Sequence, residues 1–127
     1  MKPASDSVPH DLLPLSPATL HVLLALTGGD LHGYGIMLEV ARQSRGAYKI
    51  GPGTLYDNIK KLLRLGLVEE APESDSSSDS AADAEPRRRY RLTQLGSSVL
   101  AAETERLTAV LREARRGLQR LHEERQS

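Results

Sequence analysis

The segment GPGTLYDNIKKLLRLGLVEE, residues 51–70, constrains the fold more than any other part of this 127-residue sequence. Its Pro follows a Gly, and a Pro at the first position of a helix loses no hydrogen bond, because the N–H it lacks has no partner there. Leu55, Ile59 and Leu62 follow at helical spacing, and Gly66 ends the helix immediately before the short strand LVEEA. The segment therefore predicts an amphipathic helix with a polar and basic outer face that leads directly into a strand.

Two further helices are predicted before this segment. The first begins with Ser16 as the N-cap and Pro17 at the next position, and the Gly pair at 28–29 ends it. It is apolar around nearly its whole circumference, so it must be buried on more than one side, and we expect the second side to face another chain. The second helix runs through LHGYGIMLEVARQSRG, in which one apolar stripe consists of Ile36, Met37, Val40 and Ala41.

Two short strands are predicted after the third helix, and they form a hairpin. LVEEA covers residues 67–71, and RRRYRLT covers residues 87–93 with the alternation of a strand. Between them, PESDSSSDSAADAEP at residues 72–86 contains no large apolar residue, so it cannot bury enough surface to offset its ordering entropy. We therefore predict a disordered acidic loop at the tip of the hairpin.

The charges of the chain are segregated, although its formal net charge is zero. Residues 69–86 hold seven of the 17 acidic residues and none of the 17 basic residues, so the rest of the chain is basic. Asymmetry of this kind is typical of chains that bind nucleic acid, and it also fits charged faces that are simply solvated.

The last predicted helix begins with Thr93 as its N-cap and continues to about Leu121. Its apolar residues step by seven, four, three, four and three positions, which is the pattern of a coiled-coil seam. At 1.5 Å per residue this helix is about 40 Å long, which exceeds the width of so small a domain, so the overhanging seam needs a partner. We predict a homodimer with these interface residues: Leu20, Leu23, Leu24, Leu100, Leu107, Leu111, Ala114 and Leu118.

The order of these elements predicts a mostly α-helical winged helix-turn-helix with a small β-hairpin and a long C-terminal dimerisation helix. We expect a flexible leader at residues 1–11 and a winged-helix DNA-binding domain at residues 12–92, which includes the loop 72–86. The dimerisation helix then occupies residues 93–127.

Three motifs in this order and spacing, HGYGIMLEV, GPGTLYDNIKKLLRLGLVEE and RRYRLTQLG, resemble the PadR family of transcriptional regulators, and its short-tailed members in particular. The resemblance covers about residues 12–121. It implies a sequence-specific regulator that binds double-stranded DNA, and we expect a repressor that binds a pseudo-palindromic operator as a homodimer.

The resemblance also implies a set of DNA contacts. In the family, the helix that carries GTLY enters the major groove, the Tyr residues of HGY and GTLY touch the DNA backbone, and basic residues beside the RLT strand form the wing contact. Carried onto this chain, the implied DNA-binding residues are Tyr34, Pro52, Gly53, Thr54, Tyr56, Asp57, Asn58, Lys60, Lys61, Arg64, Arg88, Arg89 and Arg91.

This chain departs from the family at Asp57 and Asn58, where a proline and an apolar residue are more usual, so base contacts are least certain at these two positions. From the chemistry of the residues, Asn58 suits a bidentate pair with adenine, and Lys61 suits O6 and N7 of guanine.

The same residues have plainer interpretations. Tyr34 and Tyr56 fit partly buried packing positions, the bases of the third helix fit a solvated face, and the RRR run fits a strand edge that charge keeps soluble. The rival function is a winged-helix protein-interaction module that has lost DNA binding. Retention of Lys61 and Arg91, together with both Tyr residues, argues against that rival.

The sequence gives no sign of catalysis, of a cofactor or of a membrane span. The four His are dispersed, Cys is absent, and no nucleophile or acid–base arrangement is recognisable, so we predict no catalytic site, no metal site and no enzyme. No apolar run is long enough to cross a bilayer, and we expect a cytoplasmic protein without a membrane partner. Family members often respond to a small molecule, and with four aromatic residues, all Tyr, this sequence leaves the existence of an effector open.

Overall fold

The computed structural model describes residues 10–72 and 88–126. Within these residues the chain forms four α-helices and three strands, in the order α1 (Pro17–Ala25), β1 (Leu31–His32), α2 (Gly33–Gln43), α3 (Pro52–Leu65), β2 (Val68–Glu70), β3 (Arg89–Leu92) and α4 (Gln94–Gln126). Residues 10 and 11 of the predicted leader begin a short 3-10 turn, His10–Leu12. The rest of the leader and residues 73–86 of the predicted acidic loop lie outside the described residues.

The ends of α1 and α3 follow directly from their sequences. The Ser16 hydroxyl accepts a hydrogen bond from the Thr19 N–H at 3.2 Å, and Pro17 occupies the first helical position of α1. Helix α3 begins at Pro52 and ends at Gly66, whose φ of 78° lies in the left-handed region that favours glycine. The predicted starts of both helices and the predicted end of α3 are therefore confirmed.

The three strands form an antiparallel sheet in the order β1–β3–β2. Val68 of β2 lies opposite Leu92, and Leu31 of β1 lies opposite Tyr90. The predicted hairpin is confirmed, but β1 was not predicted, because a strand of two residues has no alternation from which to read it. The consequence is structural: β1 ties the start of α2 to the wing.

The core lies between α1, α2 and α3, and the wing and the first turns of α4 close it. Its fully buried side chains include Leu23, Ile36, Val40, Leu55, Leu62, Leu67 and Val99. The start of α4 is fixed to the end of α3, since the Thr93 hydroxyl donates to the Gly66 carbonyl at 2.6 Å and accepts from the Gly96 N–H at 3.0 Å. These elements arrange the chain as a winged helix-turn-helix followed by a long C-terminal helix, as predicted.

A buried carboxylate joins α4 to the segment before α1. Glu103 is 1% exposed and accepts hydrogen bonds from the Leu15 N–H at 3.2 Å and from Arg106 Nε at 2.7 Å. The hydrogen bonds from Arg106 lower the pKa of Glu103, and they outweigh burial, which raises it.

We expect this carboxylate to make the fold acid-sensitive. The pKa of Glu103 is lower in the folded state than in the unfolded state, where it is about 4.3. The stability that the Glu103 carboxylate contributes is therefore present above about pH 4.3 and is lost as the pH falls through the folded pKa. Glu103→Gln should therefore lower the free energy of unfolding at pH 7 by about 1–3 kcal/mol and flatten its dependence on pH below about 4.3. Urea unfolding at neutral and acid pH measures both effects, with the exposed Glu105→Gln as the control. If the Glu103→Gln variant and the wild type lose stability in parallel on acidification, Glu103 has no such role.

Candidate nucleic-acid interface

The outer face of α3 is exposed and basic. Leu55, Ile59 and Leu62 are buried on the inner face, which turns the opposite side of the helix to solvent. The exposed residues on that side are Pro52, Gly53, Thr54, Asp57, Lys60, Lys61 and Arg64. Within the described part of the chain, none of its three basic side chains forms an ion pair. This face therefore presents a net positive charge, with three bases against the single carboxylate of Asp57.

The N-terminus of α3 adds backbone donors to that face. Gly51 is the N-cap, so no side chain accepts a hydrogen bond from the first turn, and residues 51–54 are all exposed. The first N–H groups of a helix and its dipole favour an anion, in particular a phosphate. The chemistry of this end of the helix therefore matches that of the cationic face beside it.

Two Tyr residues flank the start of α2. Tyr34 is 66% exposed, and Tyr56 on α3 is 43% exposed, so neither is a core residue. The Tyr56 ring lies against Gly33, where a Cβ atom would overlap the Tyr56 hydroxyl. Because glycine has no Cβ atom, residue 33 leaves room for the Tyr56 ring in this position. Sequence reasoning identified both Tyr residues but missed the role of this glycine, which requires knowing that α3 crosses the start of α2.

Asn58 requires a correction to the expected base contacts. It lies three residues after Leu55, beside the buried stripe of α3, and it is half-buried rather than exposed. Its Oδ1 atom accepts a hydrogen bond from the Thr19 hydroxyl at 3.1 Å, and Thr19 is 3% exposed. With its carbonyl oxygen bound to α1, Asn58 does not present the free amide that a bidentate pair with adenine requires.

The three predicted wing arginines each have a carboxylate as a neighbour. The distances are 3.0 Å from Arg91 to Glu69, 3.5 Å from Arg88 to Glu70 and 3.9 Å from Arg89 to Asp30. The described part of the wing therefore differs in charge from the outer face of α3, although the implied DNA-binding residues include bases from both.

The predicted dimer seam is exposed over most of its length. Leu107, Leu111 and Leu118 are 37%, 51% and 65% exposed, Ala114 is exposed, and Val110, which was not predicted, adds another exposed apolar side chain. On α1, Leu20 and Leu24 are half-buried.

Two predicted interface residues need correction. Leu23 has no exposed surface, and Leu100 is 9% exposed, because both pack in the core of the single chain. Leu23 therefore cannot contact a second protomer, and Leu100 offers little surface to one. The apolar circumference of α1 is covered largely by α2, α3 and α4, and this leaves a smaller free side than the sequence indicated.

Two kinds of ligand site are relevant to the described residues, a metal site and a pocket for a small molecule. No group of three metal-ligating side chains occurs among them, and none of their helices is long and apolar enough to cross a membrane. A shallow groove of about 280 Å³ lies on α4, where its lining residues are Thr108, Leu111, Arg112, Arg115, Arg116 and Gln119. All six belong to one helix, so the groove has no second wall against which a ligand could be held.

Comparisons with known proteins agree with this geometry. The model of the transcriptional regulator PadR-like family matches residues 22–102. The transcriptional regulator Rv3488 of Mycobacterium tuberculosis is 31% identical over 94 residues, which cover 74% of this chain and 78% of that protein.

Solved structures show the same fold at low identity. A PadR family transcription regulator from Clostridium difficile matches with a TM-score of 0.65 and 19% identity over 81% of this chain and 99% of that chain. Bacillus subtilis PadR in complex with operator DNA matches with a TM-score of 0.54 and 20% identity over 70% of this chain and 47% of that chain.

Proposed function

The chain belongs to the PadR-like family of transcriptional regulators, and on this premise we propose that it is a sequence-specific repressor that binds a pseudo-palindromic operator as a homodimer. The main support is the outer face of α3, where Lys60, Lys61 and Arg64 have no acidic partner within the described part of the chain. Unpaired cations beside an open helix N-terminus suit the sugar-phosphate backbone and base edges of the major groove.

The proposed DNA contacts divide by chemistry. Lys61 and its neighbours on the outer face of α3 enter the major groove, whereas the hydroxyls of Tyr34 and Tyr56, residues that are 66% and 43% exposed, donate to phosphates and set the register. Helix α3 is the second helix of the helix-turn-helix, which is the element that enters the groove in this class of protein. The Bacillus subtilis relative was solved in complex with operator DNA, which supports DNA as the target of this chain.

The proposed dimer is supported by the part of α4 that leaves the core. Its buried residues end at Glu103, so residues 104–126 extend about 35 Å at 1.5 Å per residue. Helices in proteins owe most of their stability to packing of an apolar face, and this segment carries its apolar stripe in solvent. A second copy of α4, together with the free side of α1 at Leu20 and Leu24, would cover that stripe.

The rival function, a winged-helix interaction module without DNA binding, is less well supported. Such a module has no need for unpaired bases on α3 or for two exposed Tyr residues, Tyr34 on α2 and Tyr56 on α3. The one-walled groove on α4 gives no support to a small-molecule effector. We propose that the protein acts in the cytoplasm, where its DNA target lies.

We expect Lys61→Ala to weaken operator binding by about tenfold, because it removes one charged contact in the groove. Tyr56→Phe keeps the ring against Gly33 and removes the hydroxyl, so its expected loss is about fivefold. Arg115→Ala removes the same charge from the exposed surface of α4 and serves as the control. A genomic occupancy map supplies the operator, and fluorescence anisotropy measures the affinities. Unchanged binding by both α3 variants would contradict the proposed function.

A further inference from the structure

The acidic side chains of the wing lie where the sheet register brings them against the arginines of β3. Glu69 is directly opposite Arg91 across the β2–β3 pair, and its Oε2 atom is 3.0 Å from Arg91 Nε. Glu70 pairs with Tyr90 in the register and reaches diagonally to Arg88, with 3.5 Å between Oε2 of Glu70 and the nearer guanidinium nitrogen. Opposite charges at such cross-strand positions attract.

The described part of the wing is therefore neutral, whereas the outer face of α3 has a net positive charge. In the described residues of the wing, three arginines face three carboxylates, and the third pair is that of Arg89 with Asp30 at 3.9 Å. On α3, by contrast, the bases have no such partners among the residues that the structure describes. Because the approach of a protein to random DNA is driven mainly by unneutralised positive charge, α3 attracts a duplex and the paired wing does not.

The ion pairs of Arg88 with Glu70 and of Arg91 with Glu69 are exposed to solvent, so each arginine can exchange its glutamate for another anion. The side chains of Arg88 and Glu70 are 62% and 49% exposed, and those of Arg91 and Glu69 are 41% and 53% exposed. Solvated ion pairs of this kind contribute little to stability and can be broken when a phosphate offers itself at close range. In the protein without DNA, each of these arginines therefore forms an ion pair with a glutamate, and this pair is weak enough for a phosphate to replace the glutamate.

We propose that Glu69 and Glu70 are specificity-determining residues, which keep Arg88 and Arg91 from binding phosphate until base contacts by α3 hold the operator close. This inference rests on the proposed function. The carboxylates lower the affinity for random DNA more than the affinity for the operator, because random binding is almost wholly electrostatic and operator binding is not. Their removal therefore raises affinity and lowers specificity.

The test uses the full-length protein with Glu69→Gln, with Glu70→Gln and with both changes. Affinities for the operator duplex and for a random duplex of the same length are measured from about 50 to 200 mM salt, the range over which phosphate contacts are most evident. The control is Glu105→Gln on α4, which makes the same change of charge at an exposed glutamate that has no arginine partner within the described residues.

We expect each wing substitution to raise the affinity for random DNA by about three- to fivefold at the lowest salt, the scale of an exposed ion pair. The slope of log affinity against log salt should steepen by about one for each arginine released. The operator affinity should rise less, so the specificity ratio falls, and Glu105→Gln should change neither affinity. Adding Arg91→Gln to Glu69→Gln should abolish the gain, whereas Arg91→Gln alone should lower random binding, because it leaves the Glu69 carboxylate without its partner.

Three results would overturn the inference. Equal gains for Glu105→Gln and the wing variants would show an effect of net charge alone. A fall in affinity would mean that the glutamates orient the arginines toward DNA, and unchanged affinity with lowered thermal stability would leave the pairs a structural role only. If the wild type itself prefers no sequence, the proposed function fails, and this result is distinct because it does not depend on any wing substitution.

Discussion

Replacing Leu111 by Glu is expected to convert the dimer into a folded monomer and to reduce operator affinity about a hundredfold. In the single chain this side chain is 51% exposed on α4, so a Glu there leaves the core of the protomer undisturbed. In the proposed dimer the same Glu becomes an unpaired charge inside an apolar seam, and this costs dimerisation about 3 kcal/mol. Operator affinity falls with it, because both half-sites must be bound together for full affinity.

Ala109→Glu is the matched control for this change. Ala109 is exposed and lies two residues from both Leu107 and Leu111, on the opposite side of α4, so it gains the same charge outside the seam. Sedimentation equilibrium measures the assembly state, and circular dichroism checks that helix content is retained. A wild type that sediments as a monomer at micromolar concentration, or a dimer that tolerates Leu111→Glu, would contradict the proposed seam.

The second large effect is a loss of stability, which is expected when Gly96 in the first turn of α4 is replaced by Ala. A Cβ atom at this position would overlap the Leu67 carbonyl oxygen and lie 3.0 Å from the carbonyl carbon, and these backbone atoms cannot turn away as a side chain does. Gly96→Ala must therefore push α4 away from the junction of α3 and β2, where Thr93 now binds Gly66. We expect the free energy of unfolding to fall by about 3 kcal/mol, the upper part of the range for overpacking.

Gly117→Ala is the control for Gly96→Ala, and its expected change in stability has the opposite sign. It lies in the exposed part of α4, and a Cβ atom there has nothing within 4 Å. Gly117→Ala should therefore raise helix stability by up to about 1 kcal/mol, since alanine has the higher helix propensity. Urea unfolding of the two variants measures both effects. If Gly96→Ala is as stable as Gly117→Ala, the close approach of α4 to Leu67 is not present in solution.

The helices were predictable because their signals are local. The Ser16 cap, the Pro at the start of α3 and the left-handed Gly66 each lie within a few residues of the boundary they set. The two-residue strand β1 was not predictable, since its pairing with β3 joins residues about 60 positions apart and leaves no period in the sequence.

The sequence predicts which residues lie on the outer face of α3, but it does not predict the hydrogen bonds that this helix forms with other helices. The outer face of α3 follows from helical spacing, so Lys60, Lys61 and Arg64 were assigned from the sequence and are exposed as expected. The sequence does not show that the Asn58 carbonyl oxygen is already hydrogen-bonded, because that bond to Thr19 depends on how α1 crosses α3. Such a crossing is set by the packing of the whole core and has no sequence signal of its own.

The same limit applies to the charges of the wing and to the dimer seam. The pairing of Arg91 with Glu69 depends on the register of β2 against β3, which the hairpin sets only once it has folded. Leu23 is predicted in the seam because α1 is apolar all round, yet that side chain is completely buried in the core of the single chain. Periodicity identifies apolar faces, but it does not say which element covers each of them.

Footprinting of the wild-type protein on its operator tests the central claim most directly. Two copies of α3 in one dimer should protect two half-sites that are related by two-fold symmetry, with centres about one helical turn, or 34–36 Å, apart. Protection of symmetric half-sites at this spacing is the result that the proposed function predicts. Protection of one short asymmetric site, or no preference for any sequence over random DNA, would contradict it.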